Sequence, residues 1–260
     1  MSTKTRLDIA IFERGLAHSR SKAQGMIMAR EVMVNGEIVD KAGTKVTTND
    51  EITLKSKPRF VSRGGEKLAG ALIDFNYNPS GRIAADVGAS TGGFTDCLLQ
   101  NGIERVYSID VGYGQLDYTL RTDERVVVIE RTNARYLEAL DEPVDLCVVD
   151  ASFISLRLLL PAMKKWLKSP GDIIALIKPQ FEAGKDEVGK GGIVRDPHIH
   201  RHVLENVLDF ATSIDLYTHN LTTSPIRGSD GNKEFLALFS TMPSSSPHSI
   251  WIEKVLATTE

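Results

Sequence analysis

The sequence predicts an α/β protein: a Rossmann-like open sheet over most of its 260 residues, preceded by a small α+β module. Three observations carry this. Short apolar runs at 83–87, 106–109, 126–129, 146–149 and 173–177 alternate with helix-like stretches, the pattern of a parallel sheet. The first run enters Asp86-Val-Gly-Ala-Ser-Thr-Gly-Gly-Phe94, which reads as strand, glycine turn and helix start. Charge is also divided: residues 1–67 carry a balance of +5 and the remainder −8, so a basic module precedes an acidic one.

Composition narrows the function classes. Hydrophobic residues at 42% and charged residues at 25% are those of a water-soluble globular protein. No run approaches the ~18 apolar residues of a membrane span, and Met1 to Asp8 lacks the apolar core of a secretory signal. Cys97 and Cys147 match no metal or redox spacing and read as buried free thiols, which fits a cytoplasmic location. His198, His200 and His202 would be spread around a helix axis, so no metal site is expected.

In chain order, Thr5 to Arg14 reads as a first helix ending at Gly15, and Ser19 as the N-cap of a second that runs to about Arg30. Val32-Met33-Val34, then Asn35-Gly36, then Glu37-Ile38-Val39 is a hairpin signal; Val46 and Ile52-Thr53-Leu54 supply further strands. Arg6 and Arg14 on the first helix, Arg20 and Lys22 at the start of the second, and Lys41 after the hairpin would share a face able to grip phosphates. For each taken singly, a solvated helix face is the other reading. Arg6-Leu7-Asp8, Gly15-Leu16, Ser19-Arg20, Val34-Asn35-Gly36 and Lys41 together resemble the S4 RNA-binding domain over residues 5 to about 55. The expected division is an S4-like domain at 1–57, a linker at 58–64 opened by Pro58, and a catalytic domain at 65–260.

In that larger domain, Lys67 opens an amphipathic helix with Leu68, Ala71 and Leu72 inward; it is either a site residue or a surface lysine in a first turn. The glycine spacing after Asp86 is not Gly-x-Gly-x-x-Gly. It suits an S-adenosylmethionine site, with Asp86 facing the methionine end and Gly88, Ser90, Gly92, Gly93 and Phe94 forming the turn. Asp110, at the second strand end, suits ribose hydroxyls or caps a turn; Asn133 borders the adenine or a plain turn. Asp150-Ala151-Ser152-Phe153 ends the fourth strand without the two prolines common in base-amino methyltransferases, which favours an oxygen nucleophile. Lys178 ends the fifth strand, where open α/β sheets place ligands, or it snorkels there. The glycine-rich stretch 184–196 reads as a loop over the site, and Glu234 opens the last strand, 235–239.

Lys67, Asp150, Lys178 and Glu234 resemble the Lys-Asp-Lys-Glu tetrad of FtsJ-type ribose 2′-O-methyltransferases. The flanking motifs are more specific. Ser62-Arg-Gly-Gly-Glu-Lys67, Asp110-Val-Gly-Tyr-Gly-Gln-Leu116, Arg131-Thr-Asn-Ala-Arg135, Ser152-Phe-Ile-Ser-Leu156, Lys178-Pro-Gln-Phe-Glu182 and Gly231-Asn-Lys-Glu234 resemble the TlyA, or haemolysin-A-like, family over nearly the whole chain. The resemblance implies a class I methyltransferase sheet and S-adenosylmethionine-dependent 2′-O-methylation of cytidine in 16S and/or 23S ribosomal RNA. It implies Lys67, Asp150, Lys178 and Glu234 as catalytic residues, with Asp150 also against the cofactor, and Arg63 added to the RNA-binding set. A monomer acting on ribosomal subunits, without membrane or metal, is the expected form. The linker Pro58-Arg-Phe-Val61 departs from a member that carries a tryptophan there, so signalling between domains is not carried over. Two other classes stand beside this one: a non-catalytic ribosome assembly factor, recognised by absent cofactor binding, and a haemolysin, recognised by liposome leakage.

Overall fold

In a computed structural model of the chain, the described residues are 4–17, 19–55 and 58–257. The expectations for the first three residues and for a boundary at residue 57 lie outside them. The chain divides into two compact units, residues 1–58 and 59–260.

In the first unit, β1 (Thr5–Arg6) leads into α1 (Leu7–Glu13) and α2 (Arg20–Met28), followed by β2 (Val32–Val34), β3 (Glu37–Ile38), β4 (Lys45–Val46) and β5 (Ile52–Leu54). Leu7 and Ile11 of α1 meet Ala23 and Ile27 of α2, all fully buried. Ser19 caps α2 by accepting from the Lys22 amide, as its sequence position predicts. Asn35 and Gly36 both take positive φ (51° and 84°), the I′-type turn that closes β2 on β3. The first helix starts later than expected. Thr5 and Arg6 are extended because their backbones pair with Val46 and Lys45. The strands therefore form two small sheets, β1-β4 and β3-β2-β5.

In the second unit, α3 (Gly64–Asp74) precedes β6 (Ile83–Val87), α4 (Gly93–Gln100), β7 (Arg105–Ile109), α5 (Tyr118–Arg121), β8 (Val126–Ile129), β9 (Val144–Val149), α6 (Leu156–Trp166), β10 (Leu167–Ile177), α7 (Pro179–Glu182), α8 (Pro197–Ser213), β11 (Tyr217–Thr223), β12 (Phe235–Ser240) and α9 (Ser249–Ala257). These strands make one sheet in the order β11-β12-β10-β9-β6-β7-β8. The five strands from β10 to β8 are parallel, and β12 runs antiparallel between β10 and β11. No helix separates β11 from β12; the chain turns straight back through 224–234, which forces the reversed direction. One face of the sheet is covered by α6, α8 and α9, the other by α3 and α4. Strands covered on both faces read as near-continuous apolar runs, which is why β8 and β9 were visible in sequence. Strand β10 begins at Leu167 rather than at Ile173, with a break in register before Asp172. The stretch 184–196 holds a 3-10 turn at Lys185–Glu187 and a bridge between Gly189 and Ile193.

Candidate active site

The parallel strands all end at one sheet edge, and the antiparallel β12 begins there. That alone gathers three residues distant in sequence: Asp150 directly after β9, Lys178 directly after β10 and Glu234 directly before β12. Lys67 comes to them from the first turns of α3. Its nitrogen lies 2.6 Å from Glu234 Oε2 and 3.8 Å from Asp150 Oδ2. Lys178 Nζ lies 2.6 Å from Asp150 Oδ1 and donates to Ser152 Oγ at 2.9 Å. The result is a row of alternating charge, Glu234–Lys67–Asp150–Lys178, in which Asp150 is shared. Lys67, Lys178 and Glu234 are 8%, 7% and 2% exposed, so Lys67 is no surface lysine and Lys178 does not snorkel to water. Buried charges of this kind persist only when paired and hydrogen-bonded, as these are. The row lines a cavity of about 570 Å³ with Ser62, Gly64, Phe94 and Phe181.

A second cavity, of about 560 Å³, adjoins it. Gly88, Ser90, Asp150, Ser152 and Phe153 line both, and Asp110, Asn133 and Ala134 line the second. Gly88 has φ +79°, and a Cβ there would stand 2.9 Å from the Asp150 carbonyl, so only glycine lets these two strand ends approach. The other glycines serve packing. A Cβ on Gly92 would enter Leu120, and one on Gly93 would stand 2.3 Å from Ser62 Oγ and 2.8 Å from the Gly65 amide. Gly93 and Phe94 line the first cavity, while Gly92 lines neither. The Asp110 carboxylate accepts from the Ser90 amide (2.8 Å) and the Gly112 amide (2.6 Å), which shapes the turn and leaves lone pairs toward the cavity. Asn133 Oδ1 accepts from the Arg135 amide.

Asp86 is the unusual group. It is fully buried, its Oδ2 accepts from the Thr95 amide and hydroxyl (2.9 and 2.7 Å), and its Oδ1 has no hydrogen-bond partner among the described residues. Burial pushes its carboxyl up to about 7, against the Thr95 hydrogen bonds and helped by the nearby Asp150 and Asp110. A carboxylate oxygen left bare at the wall of a cavity suits a cationic ligand group.

The basic residues of the first unit are arranged differently from a plain stripe. Arg6 lies on β1 rather than on a helix, and Arg6 and Arg20 both hold the buried Asp8 carboxylate (2.9 and 3.1 Å). The Arg6 guanidinium, with Gln24 and Arg20, keeps Asp8 well below the ordinary carboxylate range despite its burial. Arg14 follows α1 and donates to the carbonyls of Asp50 and Thr47. Lys22 and Lys41 are exposed. Arg63 belongs to the second unit, ahead of α3, and donates to the Arg227 carbonyl. Among the described residues, no group of three or more histidines, cysteines or acids is placed to hold a metal. His200 is buried, with its ring against Phe235 and Nε2 at 3.2 Å from the Val194 carbonyl. No described helix is long and apolar enough to cross a membrane.

Ser152 carries no role in the sequence reading yet holds Lys178. Phe153, 90% exposed with φ +63°, was also not singled out; a positive φ on an aromatic residue leaves no mark in sequence.

Known proteins resemble this chain along most of its length. The S4 domain family matches residues 5–52 and the FtsJ-like methyltransferase family matches residues 60–241. A Mycobacterium tuberculosis protein named 16S/23S rRNA (cytidine-2′-O)-methyltransferase TlyA is 44% identical over 239 residues, covering 90% of this chain and 89% of its own. Hemolysin A of Brachyspira hyodysenteriae is 43% identical, covering 90% of this chain and 99% of its own. A solved structure from Streptococcus thermophilus, provisionally named a hemolysin, superimposes with a TM-score of 0.74 at 44% identity, over 99% of this chain and 96% of that one. The chain belongs to the FtsJ-like methyltransferase family, among its TlyA and hemolysin A relatives, and carries an S4 domain ahead of the methyltransferase sheet.

Proposed function

We propose that this chain transfers the methyl group of S-adenosylmethionine to the ribose 2′-OH of a cytidine in ribosomal RNA, acting as a monomer in the cytoplasm on 16S and/or 23S rRNA within ribosomal subunits. The observation that carries the reading is the Glu234–Lys67–Asp150–Lys178 row, which lines one cavity together with Asp86 and adjoins a second lined by Asp110. The name of the M. tuberculosis relative favours this substrate. In this reading residues 1–57 bind RNA through Arg6, Arg14, Arg20, Lys22 and Lys41, joined by Arg63. Residues 58–64 are the linker and residues 65–260 catalyse.

The residues present fit the cofactor. The bare Asp86 Oδ1 would take its α-ammonium group, the free lone pairs of Asp110 its ribose hydroxyls, and Asn133 and Ala134 would border its adenine. When bound, S-adenosylmethionine supplies a methyl group activated by a sulfonium. A ribose hydroxyl must lose its proton as it attacks. Lys178 is the acceptor: as its amine takes the hydroxyl proton, it passes one of its own to Asp150, 2.6 Å away. Ser152 fixes the direction of the Lys178 nitrogen. Lys67, anchored by Glu234, holds the other Asp150 oxygen in place. The exposed Phe153 ring, 5.0 Å from that of Phe181, offers a face on which the target base can stack. Much of the rate then comes from holding oxygen, methyl and sulfur in line.

The test is transfer of label from S-adenosylmethionine to bacterial ribosomal subunits, wild type beside Lys178→Ala, with nuclease-resistant dinucleotides analysed for 2′-O-methylribose. Label in 2′-O-methylcytidine, lost in the variant while RNA and cofactor still bind, is the expected result. Wild-type activity in Lys178→Ala removes Lys178 from the mechanism. No label with intact RNA binding favours an assembly factor.

A further inference from the structure

Strands β9 and β10 lie side by side and parallel, so the chain leaves both at the same sheet edge. The stretch 151–155 follows β9, and Lys178 with α7 (Pro179–Glu182) follows β10. The two stretches meet at three levels. Lys178 Nζ donates to Ser152 Oγ, and the Phe153 and Phe181 rings stand 5.0 Å apart. At the third level, Glu182 Oε2 accepts from the Ser155 hydroxyl (2.6 Å) and Oε1 from the Leu156 amide (2.8 Å). The first two levels serve the reaction directly. Glu182 lines neither the reaction cavity nor the one beside it.

Glu182 is half-buried, and burial raises its carboxyl above the ordinary value, against its two hydrogen bonds and the charge of Arg157. In one respect the position suits an anion. Leu156 is the first residue of α6, an 11-residue helix, and a helix start favours negative charge. Ser155 caps the same helix by accepting from the Arg157 amide (3.2 Å). Glu182 therefore fastens the beginning of α6, through its first amide and its cap, to the short helix that follows Lys178.

The stretch ahead of α6 depends on such a fastening. None of the amides from Ala151 to Ile154 donates a hydrogen bond among the described residues. Phe153 has φ +63°, a costly conformation for an aromatic residue that lasts only where its surroundings impose it. One end of the stretch is held where the Asp150 amide donates to the Val87 carbonyl (3.1 Å), the other by Glu182.

We propose that Glu182 is a positioning residue for methyl transfer: by gripping Ser155 and Leu156 it holds 151–155 in the shape that brings Ser152 to the Lys178 amine and stands Phe153 beside Phe181. The proposal rests on the reading of the chain as an RNA 2′-O-methyltransferase. Glu182 touches neither the cofactor nor the RNA. Released from it, Phe153 relaxes toward negative φ, and the Lys178 amine loses the acceptor that fixes its direction.

The test uses the full chain and bacterial ribosomal subunits, with Glu182→Ala, Glu182→Gln, Ser152→Ala and the double variant of Glu182→Ala with Ser152→Ala. Glutamine keeps both contacts: its carbonyl accepts from the Leu156 amide, and its amide nitrogen donates to the Ser155 oxygen. Alanine keeps neither. In Glu182→Ala, kcat per folded enzyme should fall on the order of 100-fold, the cost of displacing a reacting group by about 1 Å. KM for the subunits should stay within a few-fold, because the basic module lies in the other unit. Glu182→Gln should restore kcat to within a few-fold of wild type. In the Ser152→Ala background, Glu182→Ala should cost much less than it does alone, since the contact it protects has already gone. A wild-type kcat in Glu182→Ala overturns the proposal and leaves the proposed function standing. So do losses from Glu182→Ala and Ser152→Ala that multiply, and so does a Glu182→Gln protein as slow as Glu182→Ala. If Glu182→Ala does not fold, Ser155→Ala, which removes one of the two contacts, takes its place: kcat should fall several-fold, and a wild-type kcat overturns the proposal. A wild type that does not methylate the subunits removes the proposed function and this role with it.

Discussion

Replacing Asp86 by asparagine separates what this residue costs the fold from what it gives the ligand. In the folded chain its carboxyl is raised from the ordinary 3.8 to about 7, chiefly by burial. The folded state therefore holds a proton that the unfolded state releases anywhere between those values. Below pH 3.8 both states are protonated and there is no penalty. As pH rises from 3.8 the folded state loses stability, and the loss levels off above about 7. At 1.36 kcal/mol for each pH unit, the full penalty is ~4 kcal/mol. An asparagine keeps the acceptor for Thr95 and stays neutral, but it places an N–H where Oδ1 had no partner, which returns ~1–3 kcal/mol. The net expectation at pH 8 is an Asp86→Asn protein more stable than wild type by ~1–3 kcal/mol, and at pH 4 one less stable than wild type, because the burial penalty on the wild-type carboxylate has gone and the cost of the unpaired N–H remains. Denaturant midpoints at pH 4, 6 and 8 measure this. Calorimetric titration with S-adenosylmethionine gives the other half: the variant should lose about 100-fold in affinity, because a charged partner for an ammonium has gone. Parallel pH profiles for the two proteins would refute the argument. So would undiminished cofactor affinity in the variant.

Two further substitutions test packing and the basic module. Gly93→Ala places a methyl 2.8 Å from the Gly65 amide, which cannot yield as a side chain can, so α3 and α4 must part. A loss of ~1–3 kcal/mol in a thermal or denaturant melt is expected, together with slower methyl transfer as α3 carries Lys67 away from Glu234. Adding Ser62→Gly should not restore either. Arg6→Ala combined with Arg20→Ala should weaken RNA binding and flatten its salt slope by about 1.4 to 1.8, provided both guanidinium groups meet phosphates as well as Asp8. A full wild-type slope would confine them to holding Asp8.

The four ionisable residues were legible because each ends or begins a strongly apolar run, and β-sheet topology brings such ends to one edge. Lys178 after Ile173 to Ile177 is the plainest case: a lysine closing five apolar residues either snorkels at the strand end or serves a site, and its 7% exposure decides for burial. The reversed direction of β12 was not legible, because Phe235 to Phe239 reads the same in either sense. Direction is set by the connection, and only a missing crossover helix hints at it. Arg6 and Arg20 looked like free cations because Asp8 sits in sequence as one more polar helix residue. Its burial, and so its demand for partners, appears only once α1 and α2 pack. Ser152 and Ser155 were invisible for a related reason. A hydroxyl acquires its role from the amine or carboxylate that faces it, and those arrive from segments 26 and 27 residues away.

The position of β12 has a consequence for biosynthesis. This strand is the last made, yet it lies between β10 and β11, and it brings Glu234 to a lysine 167 positions earlier. During vectorial synthesis the sheet must therefore leave a gap beside β10 until nearly the whole chain has emerged. Lys67 waits without its carboxylate for that interval. A growing chain still attached to its ribosome thus holds the charged row without its Glu234 end, which is added as β12 slots in.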